Sequence, residues 1–376
     1  MRGKYLKKFA FGSLVVIHAT LASATVIEKI FGTEAVHRYI YAAYWFVTLW
    51  AFLWVTAFIY IICKKLYQKP AIFLLHGSFG IILAGALLTF VGAERGYMHL
   101  RQGETYNFYV SEKDEMKKPL PFEMKLVFFD IEYHPGTNQP ADYISFLKID
   151  DKISQISMNR IHKRNGYRFY QMDYDRDEMG SILLVSRDPC GIAVTYAGYL
   201  LLFLFMTWLL FVRIGWKGIL FVAVPTAFVW FFISKIKPMT PVLRTPILAA
   251  HVSVIMISYT LFLTMAVAGV AGLVRAALRD RMYRFNSIII YPALFLLITG
   301  IFIGAVWANI SWGRYWGWDA KETWALITML LYAIPLHKPC FSEKKKFLQF
   351  CAGAFLAVVM TFFGVTYFLG GVHSYL

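Results

Sequence analysis

Residues 246–274 read PILAAHVSVIMISYTLFLTMAVAGVAGLV. These 29 residues hold no Asp, Glu, Lys or Arg, and one imidazole, His251. At about 1.5 Å per residue, a helix of this length reaches roughly 43 Å and crosses the ~30 Å hydrocarbon core of a bilayer. Comparable apolar runs lie near 9–28, 40–62, 71–92, 191–212, 218–234, 287–308, 322–337 and 347–369. Nine spans are therefore predicted, the fifth and eighth being the shortest. Composition agrees: of 376 residues 59% are hydrophobic and 16% charged, and mean hydropathy is +0.54. A soluble domain carries about a quarter charged residues, so a disordered chain, a small disulfide scaffold and an ordinary soluble enzyme are excluded.

The net charge of +16 is unevenly spread. Residues 94–189 hold 16 of the 22 acidic residues and 14 basic ones. The other basic residues cluster between the apolar runs, as Lys and Arg do in cytoplasmic membrane loops. With the N-terminus inside, 17 of them fall inside and seven outside. That asymmetry predicts an inside N-terminus, an outside C-terminus and residues 93–190 outside. No basic face collects on a soluble part, so no nucleic acid partner is expected. MRGKYLKK and the apolar run after it are read as an uncleaved first helix. Cys63, Cys190, Cys340 and Cys351 show no CxxC spacing, which argues against thiol–disulfide chemistry in this chain.

The outside stretch reads as β structure. FEMKLVFFDIEYH alternates, HPGTNQPADY supplies turn residues, and YISFLKID, GYRFYQMDYD and SILLVSRD continue the pattern. One small sheet or sandwich is predicted there, without a nucleophile–base signature. The fold class is thus a polytopic α-helical membrane protein with a small β-rich extracytoplasmic domain. Its parts are residues 1–92 (three spans), 93–190 (the β domain) and 191–376 (the remaining spans and a Trp-rich loop, 311–326).

The membrane reading sorts the histidines by depth. His251 lies near the outer end of the sixth span and His373 just beyond the outer end of the ninth. His76 lies about two turns inside the third span, and His337 at the inner end of the eighth. An ionisable residue inside a membrane is costly and marks a candidate site. Neutral imidazole is also a good iron ligand, and haem takes two axial ligands from opposite faces. Each histidine alone also fits a hydrogen-bonded packing role. The outer segment SWGRYWGWDAKETWAL gathers Trp312, Gly313, Tyr315, Trp316, Gly317, Trp318, Asp319 and Trp324. Flat indoles with glycines between them could cover a planar ligand. They equally fit an aromatic belt at the membrane surface.

WGRYWGWDAKETWALIT closely resembles the WWD motif of the haem-handling membrane proteins of cytochrome c biogenesis. AAHVSVIMISYTLF, YAIPLHKP and FFGVTYFLGGVHSYL are similar to the CcsA family of System II over roughly residues 195–376. FLLHGSFGIILAGALLTFVGAERG, the β stretch and GSILLVSRDPCGIAVTYAGY resemble, more weakly, the CcsB (ResB) family. Together they resemble a CcsB–CcsA fusion, with a shorter outer domain than is typical.

The resemblance implies haem export and covalent attachment of haem to the CxxCH of apocytochrome c, a haem lyase activity on the outer face. It implies His76 and His337 as axial ligands within the membrane, and His251 and His373 as axial ligands beside the WWD loop. Trp312, Gly313, Trp316, Gly317, Trp318 and Asp319 would form the catalytic loop, with Tyr315 and Trp324 among the haem contacts. The cofactor would be haem b with reduced iron. The partners would be apocytochrome c, a thioredoxin-like thiol reductant and the lipid bilayer, and the setting a bacterial inner membrane with the active site on the periplasmic face. Three alternatives stay open: a haem transporter or chaperone serving a separate ligase, a non-catalytic membrane scaffold, and an ion-coupled transporter. His18, mid-span in the first helix, is a candidate to replace or assist His76. Arg95, Arg101 and Arg314 are candidates to pair haem propionates or to form plain surface salt bridges.

Overall fold

The computed structural model describes residues 2–138, 140–150, 152–158, 160–235, 246–337, 341 and 343–369. The helices of four or more residues are α1 (Arg2–Phe31), α2 (Thr33–Val36), α3 (Tyr44–Cys63), α4 (Pro70–Gly92), α5 (Gly191–Ile233), α6 (Pro246–Val274), α7 (Arg279–Trp312), α8 (Ala320–Ala333) and α9 (Lys344–Val359). A π-helical turn, His37–Tyr41, joins α2 to α3, and a π-helical stretch, Met360–Leu369, extends α9. Eight strands stand between α4 and α5: β1 (Glu94–Arg101), β2 (Thr105–Ser111), β3 (Lys117–Tyr133), β4 (Pro140–Ile149), β5 (Lys152–Ser157), β6 (His162–Arg164), β7 (Tyr167–Tyr174) and β8 (Gly180–Arg187).

Among the described residues, seven helices are long and apolar enough to cross a membrane. The expected count of nine is higher because α5 is counted once here and α8 is short. α5 covers 43 residues, but it is two helices that meet at a kink. Gly215 interrupts it with φ 66° and ψ −177°, so the runs near 191–212 and 218–234 are its two arms. α8 has 14 residues, roughly 21 Å, shorter than a span.

The helices close on one another through small residues and buried polar links, as apolar surroundings demand. A Cβ at Gly85 would stand 2.3 Å from Thr195 Oγ1, and one at Gly198 2.6 Å from Ile82, so only glycine lets α4 and α5 approach this closely. Ser258 donates to the Ala293 carbonyl (2.8 Å) and Asn286 to that of Met265 (2.9 Å), tying α6 to α7. Phe262 stacks on Tyr332 at 3.8 Å at the centre of the largest apolar core, which α5 to α9 build together.

The strands form one antiparallel sheet in the order β5-β4-β3-β2-β1-β8-β7-β6. Along β3, buried Leu120, Phe122, Met124 and Leu126 alternate with exposed residues, the period of a half-buried strand. Bulges near Leu126, Tyr106 and Gln171 bend the sheet. It curls until β4 meets β7, where Ser145 hydrogen-bonds Gln171 (2.6 Å) and Ser181 (2.7 Å). One core, including Met98, Tyr109, Leu147, Phe169 and Val185, fills the curl.

Candidate functional site

His76 on α4 and His337, just after α8, are brought together. Their ring centres lie 6.1 Å apart with the planes at 83°. Each Nδ1 faces the carbonyl four residues back, Ile72 at 2.8 Å and Ala333 at 3.1 Å. A carbonyl only accepts, so Nδ1 carries the proton and Nε2 of each neutral ring keeps its lone pair. Two imidazoles this close, each with a lone pair on Nε2, form a donor pair suited to a metal that arrives with other ligands of its own. Among the described residues no cluster of three His, Cys, Asp or Glu side chains is placed to hold a bare ion.

At the other end of the bundle, α7 stops at Gly313 (φ 72°), and the loop runs from there to α8. The sheet holds this stop. Arg95 of β1 donates to the Gly313 carbonyl (2.9 Å), and Ser186 of β8 to the same oxygen (3.3 Å). Tyr170 of β7 donates to the Asn309 carbonyl (3.1 Å), and Arg168 to the Asn309 side chain (3.0 Å). A Cβ at Gly313 would lie 2.8 Å from the Tyr170 ring, so glycine serves both the positive φ and the close packing.

Within the loop the polar residues anchor the backbone. Asp319 caps α8, accepting from Lys321 N (3.1 Å), in a capping box with Glu322. Glu322 also accepts from Gly317 N (2.8 Å). Tyr315 is buried and donates to Thr89 of α4 (3.0 Å), which donates to Asp188 (2.6 Å). Trp324 donates to Thr25 of α1 (3.1 Å). Trp318 takes φ 58°, uncommon for a non-glycine residue. It stacks on Tyr41 at 4.8 Å with planes 6° apart, and meets Phe46 and Trp316 edge-on. Burial pushes the Tyr41 phenol up to about 12, so it stays neutral in this stack.

His251 sits below the loop. Its Nδ1 faces the Gly300 carbonyl across α6 and α7 (2.7 Å), and its ring fills the space over Gly304. One turn above, Leu248 packs with Trp307 and Trp312, whose rings are 4.8 Å apart. His373, the other expected outer ligand, lies outside the described residues. Beside the loop, Arg95 and Arg314 bring two like charges together with Glu112 and His37. Burial first, then Arg314, holds the Arg95 guanidinium below its usual range. Burial likewise lowers His37, with Glu112 opposing and both arginines adding. Arg101 is elsewhere, paired with Asp175 and Asp177.

Sequence reading overlooked Arg95 as a loop anchor, and with it Asn309, Tyr170, Ser186, Tyr41, Trp307 and Gly304. Their roles depend on which strand or helix lies opposite, which local patterns do not carry. The cap at Asp319 was overlooked too, although here a local signal exists, since D-x-x-E before an apolar run marks a helix start.

Residues 191–373 match the family described as Cytochrome C assembly protein, and residues 63–195 match the ResB-like family. Protein NrfI of Wolinella succinogenes is 39% identical over 155 residues, covering 38% of this chain and 17% of the relative. Cytochrome c biogenesis protein CcsA of Guillardia theta is 34% identical over 176 residues, covering 38% of this chain and 58% of the relative. CcsA of Chlamydomonas reinhardtii is 34% identical over 155 residues, covering 38% and 44%. The chain thus spans less than two thirds of each of these relatives.

Proposed function

We propose that this chain, a cytochrome c biogenesis protein of the CcsB–CcsA fusion type in which a ResB-like segment runs into a cytochrome C assembly domain, carries haem across the membrane and attaches it to apocytochrome c. The observation that carries the reading is the His76–His337 pair, 6.1 Å between ring centres with both Nδ1 atoms tied back to the helix. These residues would hold the iron of haem b, in its reduced state, from its two faces. Haem supplies the vinyl groups that the reaction consumes. His251 and His373 would be the axial ligands of a second, outer position under the loop.

The work of this chain is then orientation. Trp312, Gly313, Trp316, Gly317 and Trp318 would present a flat apolar cover, while Asp319 and Tyr315 fix the loop on α8 and α4. Each thiol of a CxxCH segment adds its sulfur to one vinyl carbon and its hydrogen to the other. No oxidation occurs, and no nucleophile is asked of the enzyme; holding the partners in register lowers the barrier. Thiols must arrive reduced, so a separate thioredoxin-like reductant belongs to the system.

The topology in this reading has the N-terminus inside and the sheet, the loop and the C-terminus on the periplasmic side of a bacterial inner membrane. The two arms of α5 count as separate spans, and α8 with the turn after it leads from the outer loop to the inner pair. Residues 1–92, 93–190 and 191–376 act as the inner-site, sheet and loop-bearing parts. The test is the pair of variants His251→Ala and His373→Ala. Each is expected to abolish covalent attachment while membrane-bound haem persists. Unchanged attachment in either one removes that residue from the outer site.

A further inference from the structure

Three residues of α1 share one face at seven-residue spacing: Phe11, His18 and Thr25. Phe11 meets the His337 ring edge-on, 5.8 Å between centres. Thr25 accepts from the Trp324 indole at 3.1 Å. One stripe of α1 therefore touches the inner histidine pair at one end and the helix that follows the Trp-rich loop at the other. The two contacts are 14 residues apart, roughly 21 Å along the axis. His18 stands midway between them.

His18 is disposed as His76 and His337 are. Its Nδ1 faces the Leu14 carbonyl at 2.7 Å, which leaves the lone pair on Nε2. That Nε2 is buried and has no hydrogen-bond partner. Neighbouring Ile17, Leu21 and Ala24 are fully buried in a cluster with Ile327, Trp324 and Leu330 of α8. An unpaired imidazole nitrogen at membrane depth is unfavourable, and packing needs alone would be met by an apolar side chain.

We propose that His18 is a third iron ligand, a transfer station between the His76–His337 pair and the outer loop. It rests on the haem-carrying reading above. The step is a ligand exchange: the iron bond to one inner imidazole breaks as the bond to His18 Nε2 forms. No electron moves, and no proton need leave Nδ1.

The test uses the full chain purified from haem-replete cells, read by bound haem per protein and by the absorption spectrum. Removing both inner ligands (His76→Ala with His337→Ala) should leave a residual haem fraction. Adding His18→Ala should lower that fraction at least about tenfold. His18→Met should restore it with a shifted spectrum, because a thioether is an axial ligand. His18→Gln should not, and it guards against a folding defect, since it keeps a polar side chain there. Equal haem in the double and triple variants, or none in the double, overturns the proposal. A wild-type chain that binds no haem defeats the haem-carrying reading itself. One that binds haem but labels no cytochrome defeats only attachment and leaves this test intact.

Discussion

An imidazole on a helix has two nitrogens to dispose of, and at His18, His76 and His337 the backbone carbonyl four residues back takes the same one. The other nitrogen then keeps its lone pair and is available to a ligand. His76→Ala should lower the haem that co-purifies with the full chain by about tenfold or more. Full haem content in that variant would move the inner site elsewhere. His251 is held differently, by a carbonyl of the next helix and by the missing side chain of Gly304. In Gly304→Ala the new Cβ would lie 2.6 Å from the ring, an overpacking of about 1–3 kcal/mol that pushes the imidazole aside. Covalent attachment should fall as in His251→Ala, with membrane haem retained. Attachment at the wild-type level would show that the ring position is not critical. The meeting of His76 and His337 was legible in the sequence because both fall toward the same side in the expected alternation of apolar runs. Gly304 was not, because its meaning lies in the residue across from it.

The loop between α7 and α8 is an element built from both ends. Its start is held by three strands, and its finish by a capping box worth about 1 kcal/mol. A charged donor to a buried carbonyl contributes about 1.5–3 kcal/mol, so Arg95→Gln should loosen the Gly313 end. Arg314 next to it is exposed, and trypsin should cut there faster in the variant. An unchanged cleavage rate would mean that the sheet does not restrain the loop. The strands themselves were legible from alternation, as in β3, but the docking of β1, β7 and β8 on one loop was not. That docking is set by the curl of the sheet, which bulges produce and local sequence does not specify. One end of strands β1, β7 and β8 carries its own acid sensitivity. His99 and then Arg101 hold the Asp175 carboxyl below its usual range, and Arg101 does the same for Asp177. Both carboxyls titrate lower folded than unfolded, so their stabilisation is complete above about pH 4 and is lost as pH falls through the depressed values. Arg101→Ala should flatten the acid dependence of proteolysis in the sheet. The same acid profile in variant and wild type would contradict that assignment.

At the scale of the molecule, the proposed mechanism needs the sheet and the loop on one side of the membrane and the inner pair near the other. Two exposed thiols report this: Cys63 at the end of α3 and Cys190 just before α5. With the remaining cysteines replaced, a membrane-impermeant maleimide should label Cys190 in intact spheroplasts and leave Cys63 untouched until lysis. The reverse pattern would invert the topology. The apolar runs made the membrane-length helices legible. The break at Gly215 falls where the two runs near 191–212 and 218–234 part, whereas the run near 322–337 gave no sign that α8 would stop after 14 residues. The most direct measurement is made in a bacterium stripped of its own cytochrome c maturation genes. The chain is expressed there with a periplasmic CxxCH reporter, and a denaturing gel is stained for covalent haem. A stained reporter band is the expected result and would identify a complete synthase in one chain. An unstained reporter, with the chain abundant in the membrane and carrying haem, would contradict attachment and leave a haem carrier that hands its cargo to another ligase.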